Sequence, residues 1–312
     1  MGNWPLLVIS ILLLIGSGDI LVRGSVSLAR HFKISTLLVG LIVVSIGTSA
    51  PELFVSLQAA LNGHPDIAIG NVVGSNISNI ALVLALTAII LPVLVQKSIL
   101  VFDWPVLLVS SLTFYFLASD GELSIYDGAI LLTMLVVYLF ISIKKSIKDR
   151  KHAPVFKKPQ YNIYLSLGFI LGSIVGMYFG ANWLIDSASE IASGLGISER
   201  VISVTIVAFG TSVPELSTSV IAAIKKESDI SIGNIIGSNI FNILAILGPT
   251  SMISPIKVSD KIISSDILWM IGITVLLFAL MLIYKTKQIS RISGGILLLT
   301  YIYYIYSVFT VS

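Results

Sequence analysis

The chain has 312 residues, 56% of them hydrophobic and only 11% charged, with a mean hydropathy of +1.00, whereas a soluble domain carries about 25% charged residues. That balance excludes a soluble globular protein and defines an integral membrane one, and the lack of cysteine excludes disulfide, thiolate-metal and thiol-nucleophile chemistry. The net charge of +3 informs only through its distribution along the loops.

Apolar runs long enough to cross about 30 Å of hydrocarbon predict ten spans, near 5–22, 35–61, 70–95, 101–119, 124–143, 163–185, 198–224, 231–253, 265–284 and 292–310. The first lacks a basic n-region and reads as a span, not a cleavable signal peptide. Asp19, near its inner end, is matched in the second half by Asn182 and is expected to be interfacial or structural. The second span contains "SIGTSAPE" (Ser45 to Glu52), and the third runs through "DIAIGNVVGSNISNI". Between the fifth and sixth lies a polar stretch from Lys144 to Asn162, with Pro154 and Pro159, too short to form a domain of its own. Its seven Lys and Arg residues suit fixing the topology first and binding anionic lipid headgroups second. The seventh span contains "AFGTSVPE" (Ala208 to Glu215), and the eighth runs through "DISIGNIIGSNIFNI". His31, His64 and His152 fall between spans and are expected to be ordinary surface residues.

The two motif regions are copies. Residues 45–80 align with 208–243 without a gap and match at 20 of 36 positions, far above chance, so the chain divides into a first five-span repeat (1–143), a short basic linker (144–162) and a second five-span repeat (163–312). Because five is odd, the second repeat enters the membrane from the opposite side. The expected fold is therefore all-α, with ten transmembrane helices as two inverted five-helix repeats, an organisation typical of secondary transporters. Ten spans also place 16 of the 19 basic residues on one side, which puts that side in the cytoplasm and both termini outside.

Within each motif the polar residues share one helical face: Ser45, Thr48, Ser49 and Glu52, then Ala208, Thr211, Ser212 and Glu215. Pro51 and Pro214 lack an N–H and clash four residues back, at Gly47 and Gly210, so each helix is expected to kink or open there. On the following span Ser75 with Asn79, and Ser238 with Asn242, are four apart and again share a face. Asn71, Asn76, Asn234 and Asn239 point elsewhere, some of them to backbone of the broken helices. An ionised acid at mid-membrane costs about 2.5–3.5 kcal/mol on the insertion scale, and no Lys or Arg is expected inside the spans to pair with Glu52 or Glu215. A mobile cation or a proton must compensate. Carboxylates, hydroxyls and carbonyls are hard oxygen ligands that suit calcium and are poor for zinc or copper.

"GTSAPE" with "GNVVGSNISN", and "GTSVPE" with "GNIIGSNIFN", resemble the two alpha repeats of the calcium/cation antiporter superfamily, in its prokaryotic sodium/calcium exchanger branch. The resemblance implies electrogenic exchange of Ca2+ for Na+ across the cell membrane by alternating access, spans 1 and 6 sliding against a core that holds the site. It further implies that Glu52 and Glu215 bind calcium with the carbonyls of Thr48 and Thr211. Sodium would compete there and occupy flanking positions at Ser45, Ser49 and Ser75 and at Ala208, Ser212 and Ser238, with Asn79 and Asn242 lining the centre. Many members carry Asp where this chain has Asn242, so only two fixed carboxylates remain here. The resemblance implies no enzyme activity, no cofactor, no nucleic acid and no obligate protein partner beyond the lipid bilayer. A Ca2+/H+ antiporter is the alternative, and a passive cation channel a more distant one.

Overall fold

The computed structural model describes residues 3–149, 158–196, 208–283 and 288–310. Helix α1 (Trp4–Phe32) is followed by α2 (Thr36–Thr48) and α3 (Ala50–Leu61), which bend by 47° at the break between them. Next come α4 (Pro65–Ile90), α5 (Ile99–Ala118) and α6 (Ile125–Asp149). The second half runs through α7 (Ile163–Gly194), α8 (Ala208–Thr211), α9 (Val213–Ile224), α10 (Ser228–Ile253), α11 (Ile262–Ile283) and α12 (Arg291–Thr310). Among the described residues, seven helices are individually long and apolar enough to cross a membrane, or eight with the bent α2–α3 pair as one span. The start of the predicted seventh span (198–207), the linker centre (150–157) with His152, and Lys285 and Lys287 lie outside the described residues.

Helix α1 continues ten residues past its predicted end. Its lower half carries Asp19 and Arg23, which dilute the apolar run yet bond to each other at i, i+4 (Nε to Oδ2, 2.6 Å). Lys225, just after α9, joins Asp19 as well, so Asp19 ties α1 to the end of α9. Arg23 and Arg30 accordingly sit within a helix, not in a loop. His31 likewise belongs to the last turn of α1, where its Nε2 lies 2.7 Å from the Tyr161 carbonyl oxygen. His64 is an exposed turn residue, as its sequence context implies.

Two helices are buried nearly throughout, α4 and α10. Each begins with fourteen α-helical residues and then widens into a six-residue π-segment, Asn79–Leu84 and Asn242–Leu247, opening at the equivalent asparagines. Helix α2 carries a π-segment at Gly40–Val44, and α5 and α11 start in matching ones at Ile99–Asp103 and Ile262–Asp266. Such insertions loosen the regular i to i−4 ladder and recur at functional sites.

Helices α2 and α10 cross at glycine. A Cβ on Gly233 would stand 3.0 Å from the Leu37 carbonyl oxygen, and one on Gly237 would collide with the Leu41 carbonyl oxygen and sit 2.7 Å from Ser45 Oγ. Among the described residues Gly70 and Gly74 meet no such neighbour. Two short antiparallel ribbons link the halves: β1 (Val93–Leu94) pairs with β4 (Gln288–Ile289), and β2 (Glu122–Leu123) with β3 (Ile256–Lys257).

Candidate functional site

The site is built where two broken helices meet two π-opened ones. Pro51 offers no N–H to the Gly47 carbonyl, and the bonds spanning the break run from Ser49 N–H to Ser45 O (2.9 Å) and from Leu53 N–H to Ser49 O (3.1 Å). In the second half Ser212 N–H turns back to Phe209 O at 3.0 Å, and Leu216 N–H resumes the helix at Ser212 O (3.0 Å). Each break therefore starts a new helix, α3 or α9, with its glutamate in the first turn. A carboxylate there meets the positive end of the helix dipole. Both Glu52 and Glu215 are 0% exposed.

Around them the predicted residues converge. Ser75 Oγ donates to Glu52 Oε1 and Ser238 Oγ to Glu215 Oε1, each at 3.5 Å, so the i, i+4 faces of α4 and α10 point to the carboxylates as expected. Ser49 Oγ crosses between the halves to donate to Glu215 Oε1 at 3.1 Å. Thr48 Oγ1 also crosses, lying 3.0 Å from Asn234 Oδ1 and 3.3 Å from Ser238 Oγ. Ser45 Oγ bonds back to its own helix at Leu41 O (2.5 Å), so its hydroxyl is occupied by the widened turn. Thr211, Ser212, Asn79 and Asn242 are buried in the same cluster of elements. Ala208 opens α8, and its side chain lies outside the description.

Several buried polar atoms find no hydrogen-bond partner among the described residues. They include Glu52 Oε2, Glu215 Oε2, both amide atoms of Asn79, Asn242 Oδ1 and Ser212 Oγ. A buried unpaired group costs about 1–3 kcal/mol, more when charged. The orphans gather at equivalent places in both halves, in the first turns after the breaks and at the mouths of the π-segments, and all of those named except Asn79 Nδ2 are oxygens of the kind a hard cation takes. Among the described residues no three His, Cys, Asp or Glu side chains converge. Any cation held here must draw its remaining ligands from hydroxyl, amide and main-chain oxygens.

Behind these residues stand braces, and Asn71 bears out the expectation that some of the asparagines reach backbone of the broken helices. Asn71 Nδ2 donates to the Glu52 carbonyl (3.1 Å) and to Ser56 Oγ (2.9 Å), and Ser56 Oγ donates to Ala68 O at 3.1 Å. In the second half Asn234 Nδ2 donates to Ser219 Oγ (3.0 Å), while Ser231 Oγ donates to the Ser219 carbonyl (2.9 Å). Asn242 Nδ2 donates to Asn76 Oδ1 across the halves at 3.1 Å. The signal for the bracing asparagines was the repeated Gly-Asn-x-x-Gly-Ser-Asn, whose first and second asparagines have no apolar reason to recur, whereas their serine partners and the Asn76–Asn242 pairing lie outside it.

Two buried carboxylates on broken helices of a multi-pass membrane protein are an arrangement typical of transporters. The profile of the sodium/calcium exchanger protein family matches residues 2–144 and 165–310. The putative antiporter CaxA of Alkalimonas amylolytica is 37% identical, covering 97% of each chain. The sodium/calcium exchanger MaX1 of Methanosarcina acetivorans is 29% identical, covering 98% of each. A structure of the sodium-calcium exchanger NCX_Mj, soaked with zero Na+ and Ca2+, superposes with a TM-score of 0.84 at 34% identity, covering 97% of this chain and 98% of that one. The chain belongs to the sodium/calcium exchanger family.

Proposed function

We propose that the chain is a secondary-active antiporter that exchanges Ca2+ for Na+ across the cell membrane by alternating access. The observation that carries this reading is the matched pair of orphaned carboxylate oxygens, Glu52 Oε2 and Glu215 Oε2, beside the orphaned amide oxygens of Asn79 and Asn242. Two carboxylates balance one divalent ion, and calcium takes six to eight oxygens at flexible geometry. Glu52 and Glu215 bind calcium, with the carbonyls of Thr48 and Thr211 completing the central shell. Sodium competes there and at flanking positions formed by Ser45, Ser49 and Ser75 and by Ser212, Ser238 and the main chain of Ala208, while Asn79 and Asn242 line the centre.

The same proposal takes residues 1–143 and 163–312 as inverted five-helix repeats joined by the 144–162 linker. The matching breaks and matching π-segments support it. The α1–α7 pair slides across the remaining helices, and both termini face outward from the cytoplasmic membrane, in line with the segregation of the basic residues.

Calcium uptake into proteoliposomes loaded with sodium and diluted into sodium-free buffer tests the reading, with a pH gradient as the second arm. Uptake driven by the sodium gradient, and lost in Glu52→Gln, is expected. Uptake driven only by the pH gradient would replace sodium by protons as the coupling ion, and a sustained single-channel current would overturn the antiporter reading altogether.

A further inference from the structure

A second polar site lies away from the repeated motifs. Asp103, at the end of the π-segment that opens α5, is only 2% exposed. Its Oδ1 accepts from the Tyr138 hydroxyl (3.2 Å) and its Oδ2 from Ser98 Oγ (3.3 Å). Lys145 Nζ donates to Ser98 Oγ at 2.9 Å and lies 5.0 Å from the Phe102 ring centroid. Asp103, Ser98, Lys145 and Phe102 line a pocket of about 150 Å³, walled on one side by the first turns of α2. Ser35 and Ser146 add hydroxyls to it, and the Ser35 N–H donates to Ser146 Oγ at 3.3 Å. Ser142 Oγ lies buried beside Tyr138.

Phe102 forms a wall of this pocket and also of a groove of about 340 Å³ between α5 and α6. The groove is apolar, with Val101, Val109 and Val137 more than half exposed, and Tyr138 lines it while its hydroxyl holds Asp103. A small polar pocket with one ammonium thus opens beside a long lipid-facing apolar channel. Lys33, Lys97, Lys144 and Lys148, all exposed, sit on the chain segments that lead into the pocket.

We propose that pocket and groove together bind one anionic glycerophospholipid. Lys145 and the surrounding serine hydroxyls hold the phosphodiester, and one acyl chain lies along Val101, Val109 and Val137. Basic pockets between transmembrane helices suit anionic headgroups, and the outer lysines add long-range attraction. Asp103 repels phosphate directly, but a carboxylate has about four lone-pair sites and two are taken here, so it accepts a headgroup hydroxyl. Phosphatidylglycerol, with a phosphodiester and a hydroxylated headgroup, matches both ends.

The second half shows what the site requires. A groove recurs between α11 and α12, lined by Leu268, Trp269, Gly272 and Thr300, and Asp266 again faces a tyrosine, Tyr304, at 3.5 Å. Counted from Tyr304, the sequence positions that match Ser142 and Lys145 are Val308 and Val311, and the lysine instead stands at Lys261, before α11. The groove is common to both halves, whereas the hydroxyl-rich pocket with its α6 lysine belongs to the first.

Native mass spectrometry of the detergent-purified full chain, titrated with phosphatidylglycerol, with phosphatidylethanolamine of the same acyl chains, or with inorganic phosphate, tests the proposal. One phosphatidylglycerol is expected to be retained in preference to phosphatidylethanolamine. Lys145→Gln should weaken it about fivefold, the factor one lysine contributes at an anionic surface, while Lys257→Gln, on the opposite ribbon, leaves it unchanged. Val137→Trp, which fills the groove and leaves the pocket intact, should weaken retention too and covers the case in which Lys145→Gln misfolds. Equal binding of the two lipids, or retention indifferent to both variants, would overturn the site. Displacement of the lipid by inorganic phosphate would show a free oxyanion site instead and overturn the lipid assignment.

Discussion

The two halves share the buried polar residues of their motifs almost position for position, yet the described contacts they make differ. Among the described residues Ser49 Oγ donates to Glu215 while Ser212 Oγ, its counterpart, finds no partner, and Glu52 receives Ser75 where Glu215 receives both Ser49 and Ser238. Thr48 crosses to Asn234, whereas Asn71, the equivalent of Asn234, instead holds the Glu52 carbonyl. The same residue types at Ser49 and Ser212 and at Glu52 and Glu215, in unequal geometry, place this difference in the conformation. A carrier that opens alternately to two sides needs this: its repeats must hold different shapes at any one time and exchange them.

The largest effect should come from attacking what the halves have in common. Glu52→Gln and Glu215→Gln should each lower calcium transport at least thirtyfold, because losing a hydrogen-bonded charge of this kind costs about 2 kcal/mol or more. Proteoliposome flux, with insertion checked by detergent-extracted yield, measures it, and wild-type flux in either variant removes that glutamate from the site. Next, Gly237→Ala should destabilise the protein by about 1–3 kcal/mol through overpacking, since its new Cβ meets Leu41 and Ser45. A melting temperature equal to that of the wild type would mean that α2 and α10 do not cross so closely.

Two smaller effects sharpen the comparison. If the halves exchange shapes during turnover, Ser49→Ala and Ser212→Ala should slow steady-state exchange by similar factors, although only Ser49 is bonded here. Unequal slowing would make the asymmetry a fixed property of the halves. Asn242→Asp should make calcium flux fall more steeply on acidification than in the wild type, because a new carboxylate must lose its proton before it can hold a cation and regains it as the pH drops. A pH profile identical to that of the wild type would place Asn242 outside the ion path.

Much of this was legible because a few residues have strong physical consequences. Pro51 and Pro214 cannot sit inside an unbroken ladder, so the breaks were readable, and the i, i+4 spacing of Ser75 with Asn79 gave the face. The π-segments were not, since one extra residue in a turn has no residue-type signature and Asn79 and Asn242 suit an α-helix equally well. The bond between Asn76 and Asn242 depends on how α4 and α10 pack, which no local pattern encodes. Helix α1 ran past its predicted end because hydropathy counts Asp19 and Arg23 as polar losses and ignores that they pair. Asp103 escaped notice because one acid at the rim of a span looks like an ordinary loop residue until Tyr138 and Lys145 are placed beside it.

The ribbons at the loop ends carry a mechanical consequence. Val93 and Leu94 are stitched to Ile289 and Gln288, and Glu122 and Leu123 to Lys257 and Ile256, so the connectors of each half are sewn to those of the other at two separate seams. Torque applied to one half is transmitted to its partner through backbone hydrogen bonds, and the helices hung from those connectors behave as a single chassis. Helices α1 and α7 have no such stitch among the described residues and lie mainly against each other. In the proposed mechanism they are a carriage on a rail, and most of the work of exposing ions to one side and then the other falls to a part that slides.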